Sequence, residues 1–267
     1  MLKQNYYYIV AGLPELFFDE NKTIESSEVF KNEIKELLFP ADFKLVELLF
    51  LARKNRELLD TYFEKGEVNF DELSPELSNK TYIRNFMEWA EGKEPQTMKL
   101  EFENKLQSLY YNYVLSATSN DFLKNWFQLE LDVKNILTAI NCEKFLYPLP
   151  KHLIKTEFNK ASYSLLVKKH FKYELYEDLI PVAKQVFAVA EANASVVARE
   201  QETDKILWNY VEEETTYNYF TIEKILTHII KLHIVERWSA LNEKEGKTFL
   251  EKLIADIKQS YNLADAF

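Results

Sequence analysis

The residues with the plainest capacity for chemistry are four histidines, one cysteine and a Glu-Arg-Trp triplet near the C-terminal end. His228 and His233 lie five apart, a spacing that turns them onto different faces of a helix, whereas a metal pair needs i, i+4. His152 and His170 have no second ligand at metal-site spacing, and no HExxH, paired Glu-x-x-His or Cys cluster occurs. Cys142 has no neighbouring basic group that clearly marks an activated thiolate, and no serine sits in a GxSxG elbow. Gly12 belongs to no phosphate-cradling glycine motif. Glu212, Glu213 and Glu214 point in three directions if helical, as expected of a solvated helix end. We therefore assign no catalytic, cofactor-binding or metal-binding residue, expect no cofactor, and do not expect an enzyme.

The triplet Glu236-Arg237-Trp238 is the group with most to explain. His233 precedes Glu236 by three residues and Arg237 by four, so these polar side chains adjoin on a helix that is otherwise apolar. Two readings follow. Glu236 and Arg237 are candidate partner-binding residues, or they form an ion pair between helices of this chain with Arg237 emerging at the surface.

Thr221–Leu241 is the element that positions them. Ile222, Ile225, Leu226, Ile229, Ile230, Leu232, Ile234, Val235, Trp238 and Leu241 make a wide apolar stripe, and Glu223, Lys224, Thr227, His228 and Lys231 make a polar row opposite. Thr221 can cap its first turn. So apolar a helix must be packed among others, and we place it centrally.

The rest of the chain reads as helices too. Only 4 glycines and 7 prolines leave little material for the turns of a sheet protein. The patterning predicts helices over Glu28–Leu38, Ala41–Phe63, Tyr82–Ala90, Thr97–Ala117, Asp121 to Cys142, Ser162–His170, Lys247–Tyr261, and one long helix from Pro181 to Glu214. The first of these turns Val29, Phe30, Ile34, Leu37 and Leu38 inward. The second carries a charged patch of Arg53, Lys54, Arg56 and Glu57, which reads as a solvated face. Ser74-Pro75 makes a further helix start. At most a trace of strand is expected near Tyr6–Val10. The fold class is all-α and multi-helix. Pro148 and Pro150 mark a joint, giving an N-terminal half, 1–147, and a C-terminal half, 148–267, or one compact domain. An echo at a spacing of 103 residues pairs Leu123, Trp126, Phe127, Leu129 and Leu131 with Leu226, Ile229, Ile230, Leu232 and Ile234.

Charge and cysteine content bound the partners and the compartment. A net charge of −10 argues against nucleic acid or an anionic bilayer as the main partner. A lone cysteine suits a reducing cytoplasm, and YYYIVAGL is too short to span a bilayer and lacks a signal peptide's flanks. A peripheral, cytoplasmic protein without direct membrane insertion is expected.

Three segments go beyond amphipathic pattern. NYYYIVAGLPEL, SNDFLKNWFQLELDVKNILTA and WNYVEEETTYNYFTIEKILTHIIKLHIVERW together resemble a family of uncharacterised bacterial proteins associated with V-type ATPase gene clusters. More distantly, Glu130, Asn135, Ile136 and Leu137 resemble one copy of a repeated motif in the C subunit of V/A-type ATPases (the d subunit in eukaryotes). The region of Glu236 and Arg237 resembles a second copy that lacks the asparagine. The resemblance implies a funnel-like helical body on the inner face of the cell membrane. It implies a non-catalytic subunit, with the central shaft and the membrane rotor ring as partners. A helical adaptor or assembly factor acting on the same or another complex is the alternative.

Overall fold

The computed structural model describes residues 5–18, 26–192 and 195–240. Among them the chain forms twelve α-helices, two 3-10 turns at Phe70–Glu72 and Tyr173–Leu175, and no strand. The helices are α1 (Tyr7–Gly12), α2 (Ser27–Ile34), α3 (Pro40–Lys65), α4 (Pro75–Ser78), α5 (Thr81–Ala90) and α6 (Lys99–Ala117). They continue with α7 (Asp121–Phe145), α8 (Leu149–His152), α9 (Lys160–Val167), α10 (Ala183–Glu191), α11 (Val196–Glu214) and α12 (Ile222–Ala240).

Local chemistry sets many of these boundaries. Ser26 caps α2 by accepting from the Val29 N–H, and Asn120 caps α7 by accepting from the Leu123 N–H at 2.9 Å. Each thereby satisfies a donor that the first helical turn leaves orphaned. Proline opens α3, where its missing N–H costs nothing. Gly66 closes α3 in the left-handed region at φ 83°, a conformation glycine adopts without a Cβ clash.

The all-α expectation holds, with corrections in detail. Tyr6–Val10 contributes no strand: Tyr7–Gly12 is a helical turn, tied down where the Tyr6 N–H donates to the Phe220 carbonyl at 2.5 Å. The helix expected from Pro181 to Glu214 is two helices. Ser195 caps α11 by accepting from the Ala198 N–H, and α10 packs on both α7 and α11. A serine that bonds nearby backbone favours such a break over helix continuation. On α2 and the turn after it, Val29 and Leu37, expected inside, are exposed, while Phe30, Ile34 and Leu38 are buried. The patterns expected at Leu241 and at Lys247–Tyr261 fall outside the described residues.

One contiguous apolar cluster runs through helices from both sides of the Pro148–Pro150 segment. Helices α3, α5 and α6 meet at an aromatic knot, with ring centroids 5.7 Å apart for Tyr62 and Phe86, 5.8 Å for Phe86 and Phe102, and 5.0 Å for Trp89 and Phe102. Edge-to-face pairs at such separations add to the burial of large rings. Helix α7 packs on α6, α9 and α10, and α12 packs on α1, α2, α3, α7 and α11.

Helix α12 is central, as its pattern predicts. From Ile222 to Val235 its apolar stripe is buried, Trp238 is partly buried, and much of the supposed polar face is enclosed as well, with Glu223, Thr227 and His228 buried. The five pairs of the 103-residue echo are buried on both α7 and α12. The two helix starts also touch, since the Asn120 amide donates to Glu223 Oε1 at 3.2 Å.

Ile229 is 0% exposed on this helix. Ile229→Asp places an unpaired carboxylate in the core and is expected to destabilise the fold by roughly 3–5 kcal/mol. A denaturant melt superimposable on wild type would disprove that packing.

Candidate partner-binding site

Glu236 and Arg237 leave α12 in different directions, and each meets partners from its own chain. The Ser27 N–H donates to Glu236 Oε1 at 2.6 Å and the Ser27 hydroxyl donates to Oε2 at 2.8 Å. The carboxylate thus sits on the first turn of α2, where free N–H groups and the helix dipole favour a negative charge. Arg53 of α3 approaches the same carboxylate at 3.9 Å. The charged patch of α3 is therefore not wholly solvated, because Arg53 turns one of its contacts to α12.

Arg237 pairs with Asp204 of α11 and reaches Glu200 at 3.7 Å. The Trp238 indole N–H donates to the same Asp204 carboxylate at 2.7 Å. Asp204 is buried, so two donors from α12 compensate the charge that α11 carries inward. The internal ion pair is therefore present, and it ties α11 to α12. Arg237 nonetheless keeps 41% of its side chain exposed.

Beyond this pair lies a charged cluster. Glu130 and Lys134, one turn apart on α7, are close enough to Arg237 for their charges to interact, with Arg56 of α3 and Glu103 of α6 near enough to act on the same charges. Lys134 donates to Gln107 of α6 at 2.9 Å, and the Tyr111 hydroxyl faces Glu130. Lys134 is exposed by accessible area, yet desolvation is the main influence that lowers its pKa. Desolvation likewise raises the Glu130 pKa, against the opposing pull of Lys134, Tyr111 and Arg237. This arrangement places charges of both signs side by side. It presents no nucleophile paired with a base.

A second polar group, missed in the sequence, lies deeper in α7. The Asn135 side chain accepts the Ile154 N–H and donates to the Ile154 carbonyl, both at 2.8 Å, pairing with that backbone much as a strand would. Buried Asp132 accepts from the Ser162 hydroxyl and from the Gln128 amide, each at 2.6 Å. Desolvation raises its pKa. The available signal is the i, i+3 spacing of Asp132 and Asn135 on an otherwise apolar face. The sequence marks Asn135 only through the resemblance, whereas here it pins the Pro148–Asn159 segment to α7.

The histidines are not brought together as ligands. His228 meets Phe30 edge-on at 5.0 Å and His233 meets Phe50 at 4.8 Å. Among the described residues no group of three or more His, Cys, Asp or Glu is placed to hold a metal, and no helix is long and apolar enough to cross a membrane. Cys142 is buried, and burial pushes its thiol pKa up.

Among the described residues this is an all-helical protein whose central helix is locked by interhelical charge pairs. The chain belongs to the DUF2764 family of proteins of unknown function, whose family model matches residues 3–261. No curated protein and no solved structure matches it.

The buried histidines carry a pH dependence. Burial lowers both from 6.5 to about 4, with Lys231 adding to the effect at His228, while Glu236 opposes it at His233. Between those values the unfolded chain binds more protons, so stability is full above 6.5 and falls as pH drops toward 4. Asp132 and Glu130, both raised, act in the opposite sense on acidification. The histidine loss is expected to reach on the order of 2 kcal/mol apiece near pH 4.5. Denaturation midpoints of the His228→Leu, His233→Leu double variant should fall less steeply between neutral and that pH. An unchanged slope would place the acid sensitivity elsewhere.

Proposed function

We propose that this chain is a non-catalytic, peripheral subunit of a bacterial V/A-type ATPase that couples the central shaft to the membrane rotor ring. The observation that carries this reading is the convergence of the three resembling segments in space. Tyr6 from the first and Phe220 from the third share a backbone hydrogen bond, and the Tyr7 and Phe220 rings lie 4.6 Å apart. Asn120 from the second meets Glu223 from the third, and Glu130 of the second is close enough to Arg237 of the third for their charges to interact. The residues behind the likeness therefore form one structural unit around α12.

The mechanics of the role also suit this interior. A coupling subunit transmits torque without catalysis, and a close-packed helical core transmits strain instead of absorbing it. Aromatic contacts and the Asp204–Arg237 and Ser27–Glu236 locks resist sliding of α2 and α11 against α12. The charged cluster of Glu130, Lys134 and Arg237 is the surface we assign to the shaft, because mixed charges orient a partner as well as bind it. The adaptor reading shares this surface and differs in stoichiometry.

Affinity purification of the tagged chain from membranes of cells that express the complex is expected to recover ATPase subunits in fixed proportion at low salt. Moderate salt should weaken that recovery before it affects the fold. The charge swap Glu130→Lys, Lys134→Glu should reduce recovery at least tenfold while leaving a cooperative melt. Substoichiometric recovery would favour the adaptor, and no ATPase subunit at low salt would reject the assignment.

A further inference from the structure

Residues 144–172 carry seven lysines against one acidic side chain, Glu157, in a chain whose net charge is −10. All seven lysines are exposed. Four are fixed near the C-terminal end of α7. Lys144 belongs to its last turn, and Lys151 lies on α8, whose carbonyl there accepts from Asn104 of α6 at 2.6 Å. Lys169 pairs with Glu143 at 2.9 Å, which holds Lys168 and Lys169 beside the same helix end.

An apolar tip stands at the centre of these charges. Phe145, Leu146 and Tyr147 are 55%, 91% and 58% exposed. Leu146 occupies the left-handed region at φ 58°, where glycine is the usual residue, and Tyr147 bonds back to the Cys142 carbonyl at 2.9 Å. A leucine held in that conformation with its side chain in water is strained and contributes nothing to the core. Tyr147 stacks on His152, ring centroids 5.5 Å apart, which stiffens the tip.

We infer that this end of the molecule docks onto an anionic phospholipid surface, with Phe145, Leu146 and Tyr147 entering the interface and the lysines meeting the headgroups. A convex apolar tip needs no matching pocket in a fluid interface. Long lysine stems let their ammonium groups reach phosphates while the tip is immersed. The negative whole-chain charge does not prevent this, because fields from the rest of the surface decay within about 8–10 Å at ordinary salt. It instead orients the molecule, since other faces are repelled. The inference does not depend on the ATPase reading.

Co-sedimentation of the full chain with vesicles of phosphatidylcholine alone, or in equal parts with phosphatidylglycerol, tests it. Binding to the anionic vesicles only, reversed by salt, is expected. Lys144→Glu, Lys151→Glu, Lys168→Glu together should weaken it on the order of a hundredfold or more. Leu146→Gly should weaken it at least tenfold while relaxing the backbone, so its melt should match or exceed wild type. Retained binding by either variant overturns the inference. So does equal binding to neutral vesicles, or capture of this face by polyglutamate without vesicle binding. Failure here leaves the ATPase assignment untouched, since the vesicles contain no ATPase.

Discussion

The structure depends on enclosing α12 on all sides. Ile225, Leu226, Ile229, Ile230 and Leu232 are buried, and so are Thr227 and His228 on the opposite face. Removing polar groups from water is costly unless each finds a partner, and α12 meets that demand by recruiting its neighbours. Thr227 bonds Thr215, Lys231 pairs with Glu212, Glu236 takes the start of α2, and Arg237 and Trp238 converge on Asp204. The exception is His233 Nε2, which is buried without a hydrogen-bond partner. Desolvation outweighs the opposing pull of the Glu236 carboxylate there, so the imidazole is held neutral.

Helix α7 obeys a related constraint with a different solution. It buries Leu123, Trp126, Phe127, Leu129 and Leu131 much as α12 buries their echo partners. Its inward polar residues bind loop backbone and neutral side chains instead of opposite charges. Asn135 holds Ile154, and Asp132 holds Ser162. The two helices thus share an apolar register but anchor different things: α12 fixes other helices, and α7 fixes the chain that returns across it. Their N-terminal contact through Asn120 and Glu223 joins the two systems.

The sequence reveals helices wherever apolar periodicity and cap chemistry agree, as at Asn120 and at the centrality of α12. It does not reveal the break before Ser195, because alanine-rich sequence supports a continuous helix and two shorter ones almost equally. The partners of Glu236 and Arg237 are hidden for another reason. Ser27 lies 209 residues from Glu236, and no periodicity within one helix encodes such a distance. Exposure of Val29 and Leu37 shows the same limit, since helical spacing gives a stripe but tertiary packing sets its width. The basic 144–172 segment is fully readable, yet averaging charge over the chain conceals it. Local charge density, not the total, governs contact at a screened range.

That segment starts at the C-terminal end of α7, and this connects the two candidate surfaces. Lys134 in the charged cluster and Phe145 at the tip are eleven residues apart on one uninterrupted helix, or about 16 Å at 1.5 Å per residue. Between them α7 is packed on α6 and α10 and clamped by Asn135. Its freedom to bend or slide is therefore small. A protein held at the charged cluster and a lipid surface met at the tip would be kept at a nearly fixed separation, with no hinge between them. Such a spacer would need rigidity more than chemistry, and buried carboxylates and an asparagine already act here as clamps, with Leu146 left strained and exposed at the end of α7.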